Sequence, residues 1–64
     1  MDYKSAVWTA QYMVSKLGDM AVAKVDAFAT ENYEAGDIEA AAFWGKVSQA
    51  AQLIQEKPPR QASG

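Results

Sequence analysis

Tyr33-Glu34-Ala35-Gly36-Asp37-Ile38-Glu39 is the stretch that decides the fold. Gly36 stops whatever helix precedes it, because glycine enters the left-handed conformation without steric cost. Asp37 starts the next one, because its carboxylate accepts from the free N–H groups of a first turn. The same pair recurs upstream as Gly18-Asp19. Two glycine stops, each followed by an aspartate cap, divide the chain into three helices.

Working toward the N-terminus, the expected second helix runs from about 20 to 33. Ala21, Val25, Phe28, Ala29 and Asn32 form its apolar stripe, edged by Val22 and Tyr33. Lys24, Ala27, Glu31 and Glu34 fall on the other side, so one face alone should pack. The first helix is expected over 3–17, with Asp2 as its cap. Tyr3, Val7, Ala10, Val14 and Leu17 step by four and three and share one side, flanked by Ala6 and Met13. Toward the C-terminus, the third helix is expected over 38–56. Its stripe is Ala40, Phe43, Val47, Ala50 and Ile54, widened by Trp44 and Ala51. Gly45 falls on the polar side, where its missing side chain would leave room for a close neighbour. Pro58-Pro59 ends the helix, and 57–64 reads as a flexible tail with no apolar anchor.

The expected fold is therefore all-α: one domain over 2–56, a small three-helix bundle or open helical array, since connectors this short place successive helices side by side. A chain of 64 residues allows no second domain. Its core must be slight, because much of its apolar half is alanine. Alanine favours helix but buries little area. Cores of that kind commonly gain from a partner or from oligomerisation.

Composition narrows the function. The chain has neither cysteine nor histidine. That removes disulfides, zinc–thiolate sites and the usual general base near neutral pH. Ser5, Ser15 and Ser48 have no histidine to activate them, and the glycines make no phosphate-cradling loop. Glu31, Glu34, Asp37 and Glu39 could in principle hold a hard cation. Their spacing does not match a calcium loop, and they read as a solvated face with helix caps. We expect no enzyme, no catalytic residues, no cofactor and no metal.

No apolar run approaches the roughly 18 residues of a membrane span. Met1-Asp2-Tyr3-Lys4 lacks the pattern of a signal peptide, so the expected setting is cytoplasmic, with no membrane partner. The net charge is −2. All eight carboxylates lie in 1–56, against Lys4, Lys16, Lys24 and Lys46, while Lys57 and Arg60 lie in the tail. Such a body suits phosphate poorly. A helix-turn-helix built from the last two helices would present Ile38-Glu39-Ala40-Ala41-Ala42 to the bases, without any of the Arg, Lys, Asn or Gln that reads them. We expect no direct nucleic-acid contact.

What remains is aromatic. Trp8 and Tyr12 are four apart, hence adjacent on the first helix, and point away from its apolar stripe, with Ser5 and Ser15 on the same side. Either these rings pack against the third helix, or they meet a partner. Tryptophan and tyrosine join large area to a polar handle and are favoured at binding hot spots. The leading expectation is a regulatory or adaptor module that docks through a helix face, with Trp8, Tyr12, Ser5 and Ser15 as partner-binding residues. The partner is a protein or, should the chain form homo-oligomers through the apolar face of the first helix, a second copy. The alternative is a small acidic inhibitor of phage or mobile-element type that blocks a nucleic-acid-binding protein with its carboxylates.

Ala35-Gly36-Asp37, followed by Ala42-Phe43-Trp44, Val47 and Ala50, resembles a family of small helical proteins of alphaproteobacteria. These share a Gly-Asp turn before a final helix that bears a tryptophan and a Val-x-x-Ala step. The resemblance spans about 18–54. It implies a helical fold and a bacterial cytoplasmic setting, and it implies no activity.

Overall fold

The computed structural model describes residues 3–55 and is all-α. Helix α1 spans Tyr3–Leu17, α2 spans Ala21–Glu34 and α3 spans Ile38–Gln55. A 3-10 turn, Gly18–Met20, joins the first two. Asp2, the side chain of Tyr3, Glu56 and the tail 57–64 lie outside the described residues, and with them the expected cap of α1 and the expected flexible end.

The two glycine stops are both present, with φ +57° at Gly18 and +86° at Gly36. They are used differently. At the second, the Asp37 N–H donates to the Asn32 carbonyl at 2.8 Å and the Gly36 N–H to the Tyr33 carbonyl at 3.0 Å. This crossed pair is a Schellman motif, which satisfies carbonyls that the end of α2 would otherwise leave bare. Asp37 then caps α3, its Oδ1 accepting from the Ala40 N–H at 3.1 Å. The first junction departs from expectation. Gly18 leads into the 3-10 turn, Asp19 lies within that turn, and Met20 takes the residue position ahead of α2 with no side-chain cap. Asp19 therefore does not cap α2. Met20, the residue directly ahead of α2, is right-handed (φ −84°, ψ −8°) and not the extended residue that a side-chain cap uses.

Helix α3 is the centre of the molecule. It packs against both α1 and α2, which make few direct contacts with each other. An open array with a middle helix fits this better than a closed bundle. Two neighbours explain why burial on α3 extends around about half its circumference at 3.6 residues per turn. Val47, Ser48, Ala50 and Ala51 are buried, and Phe43, Trp44 and Ile54 pack against the core.

The core is made of small side chains. Ala6, Ala10, Ala21, Val25, Val47, Ala50 and Ala51 are its buried apolar members, and the largest of them are the two valines. Side chains this small allow helix backbones to approach one another closely. On α1 this moves the seam toward Ala6 and Ala10, which are fully buried, while Val7, Met13 and Val14 are only partly covered. The stripe expected through Val7 and Val14 is thus rotated toward a residue expected only to flank it. The main neighbour of α1 is α3, and the buried side of α1 is the one that carries its smallest residues. Asn32, placed on the α2 stripe by spacing, turns its amide back to the Phe28 carbonyl at 2.8 Å.

No close neighbour occupies the room left at Gly45. A Cβ built there meets no heavy atom within 4 Å.

Candidate functional site

The site is assembled by the geometry of α1. At about 100° per residue, Ser5, Trp8, Tyr12 and Lys16 follow one another on one side at steps of three and four. Ala6 and Ala10 occupy the opposite side and belong to the same buried cluster as Val25, Val47, Ala50 and Ala51. Burying the alanines therefore turns the rings outward. Trp8 is 73% exposed and Tyr12 54%. Ser5 and Ser15 are exposed beside them. The four residues expected to bind a partner lie together on one accessible face, and the alternative packing of both rings against α3 is not adopted.

Two features of this face escaped the sequence reading. Lys16 places its Nζ 5.9 Å from the centroid of the Tyr12 ring, at the limit of a cation–π contact. At the other end, Lys4, Ser5, Trp8 and Thr9 line a shallow surface hollow of about 420 Å³. The signal was present in the sequence: Tyr3–Leu17 contains Lys4 and Lys16 and no carboxylate. The aromatic face is thus also the cationic face of an acidic chain.

A second exposed apolar group sits where α2 turns into α3. Tyr33 is 66% exposed and Ile38 57%. Glu31, Glu34, Asp37 and Glu39 surround them in sequence and are all exposed. Ala29, Thr30, Tyr33, Glu34 and Ala41 line a shallow hollow of about 390 Å³ there.

The other polar arrangement lies between α2 and α3. Ser48, 5% exposed, donates its hydroxyl to Asp26 Oδ1 at 2.6 Å. It accepts from Gln52 Nε2 at 3.3 Å. The Gln55 side-chain amide donates to the Gly18 carbonyl and ties the end of α3 to the first connector. The Ser48 hydroxyl is engaged with a carboxylate in a packed seam, an arrangement that satisfies a buried polar group and positions two helices.

Trp44 belongs to the core edge. Its ring lies 5.1 Å from that of Phe28, tilted by 57°, and 5.4 Å from that of Phe43, nearly edge-on at 70°. Among the described residues, no group of three or more His, Cys, Asp or Glu side chains is placed to hold a metal ion. No helix of the described residues is long and apolar enough to cross a membrane.

No family model, curated protein or solved structure matches the chain.

Proposed function

We propose that this protein is a non-enzymatic interaction module, a small regulator or adaptor, that docks on a protein partner through the outward face of α1. Trp8 and Tyr12 are the anchors, and Ser5 and Ser15 form the polar rim. The observation that carries this reading is the exposure of two large rings, four residues apart, on the helix side opposite the core. Large rings lose most from standing in water and gain most from a partner's pocket. Packing of α1 fixes the backbone that carries both rings before binding, which lowers the ordering cost of association.

The test uses the full chain as bait for the soluble proteins of its own host. Wild type and the variant Trp8→Ser/Tyr12→Ser are compared side by side, with helicity followed by circular dichroism. The expected result is an equally helical variant that loses proteins the wild type retains. An equally helical variant that retains the same proteins overturns the reading, and so does a variant that unfolds, because the rings would then be core.

A second reading, an acidic inhibitor of a nucleic-acid-binding protein, draws support from the exposed Glu31, Glu34 and Glu39. Asp37 is exposed as well, with one carboxylate oxygen engaged by the Ala40 N–H. A steep loss of retained protein with added salt would favour this second reading, since exposed charge pairs are screened and apolar contacts are not.

A further inference from the structure

We propose that the occupant of the α1 face is a second copy of this chain, which receives it at the corner between α2 and α3, so that copies join head to tail. The proposal rests on the docking reading above and names the partner it left open.

The argument is complementarity between two surfaces of one molecule. The α1 face carries two exposed rings between Lys4 and Lys16, with no carboxylate in the helix. The corner carries Tyr33 and Ile38, both exposed, with the exposed Glu34, Asp37 and Glu39 beside them in sequence, while Glu31 lies on the other side of α2 from Tyr33. From Val25 to Gly45 there is no cation at all. Each surface supplies the charge that the other lacks. Each also has a shallow hollow beside its ring, one lined by Lys4 and Trp8 and the other by Tyr33 and Glu34. Matched potentials of this kind steer encounter and fix register.

The same charges argue against a symmetric pair. Two α1 faces laid together would set lysine against lysine whether the helices ran parallel or antiparallel, and like charges in apposition are unfavourable. Two corners laid together would oppose carboxylates. The contact that remains joins unlike patches. Such a contact leaves one face of each type free at every step, so it grows into rings or open chains and does not stop at a two-fold dimer.

The test is sedimentation velocity of the full chain at low salt, over concentrations up to about 1 mM, where contacts with a Kd of about 1 mM become visible. Three samples follow. Wild type should rise in average mass with concentration and fall back toward the monomer in about 0.5 M NaCl, where screening is strong. Trp8→Ser/Tyr12→Ser, which lacks the ring face, and Tyr33→Ser/Glu34→Lys, which lacks the ring and the charge that line the hollow at the corner, should each stay monomeric alone. Mixed, they should form a 1:1 complex and nothing larger, because one intact face meets one intact corner and both free ends are disabled. Circular dichroism checks that both variants remain helical.

A wild type that is monomeric throughout overturns the proposal, as does a mixture of the two variants that forms no complex. Self-association that survives in Trp8→Ser/Tyr12→Ser also overturns it. A monomeric wild type would leave docking on a different protein standing, and that reading fails only in the comparison of retained proteins described above.

Discussion

Gly45 stands in the middle of α3 with helix on both sides, and a Cβ built there has no heavy atom within 4 Å. Its backbone is helical, so the glycine contributes only the entropy it loses on folding. Gly45→Ala should therefore stabilise the protein by about 1 kcal/mol, which for a domain of this size is a rise in Tm of roughly 4–8 °C. A thermal melt followed by circular dichroism reads it directly, and a lower Tm would show that the space at Gly45 is needed. Ser48 gives the contrasting lesson. Sequence spacing assigns α3 an apolar stripe and treats serine as outside it, yet Ser48 is buried because α3 has a neighbour on each side. Its hydroxyl is tolerated there because the Asp26 carboxylate, from a residue 22 positions away, meets it at 2.6 Å. No local pattern encodes that pairing, since it depends on how α2 lies across α3.

At the scale of the element, the helices and their order were legible because the punctuation is local. Glycine stops and the Asp37 cap act within a few residues, and the α3 stripe holds at Val47 and Ala50. The start of α2 was not legible, because Gly18-Asp19 and Gly36-Asp37 look alike in sequence while their backbones diverge. After Gly36 the chain enters α3 directly behind a capping aspartate. After Gly18 it first makes a 3-10 turn, which carries Asp19 past the position from which it could cap. The two aspartates should therefore respond differently to removal. Asp37→Ala should cost about 1 kcal/mol, the usual loss for an aspartate N-cap. Asp19→Ala should stay within about 0.5 kcal/mol of wild type, as exposed substitutions without a defined partner do. Urea titrations of the pair measure both, and equal losses would mean that Asp19 caps after all. The aromatic face of α1 was legible for the same reason as the helices, from spacing alone. Its cationic character needed both ends of the helix to be read together with the absence of acids between them.

At the scale of the whole molecule, the position of mass matters more than its amount. Conventional expectation places the largest side chains in the core, because burial of area drives folding. Here the buried apolar members are alanine and valine, and the most exposed large hydrophobic side chain among the described residues is a tryptophan. A slight core leaves little stability to spare, since a 64-residue chain hides only about 60% of its unfolded surface. Small changes inside should then outweigh large changes outside. Val47→Ala removes two methyl groups from the fully buried centre of α3. At about 0.8 kcal/mol per buried carbon, with a further cost for the cavity, it should lose about 2 kcal/mol. Trp8→Ser removes far more carbon and should leave stability within about 0.5 kcal/mol of wild type when measured on dilute monomer. Thermal melts at low concentration order the two variants. The reverse order would show that the indole is part of what holds α1 to α3. The expected order would place the largest ring of α1 where it does not stabilise the monomer, which is what the proposed docking through that face requires.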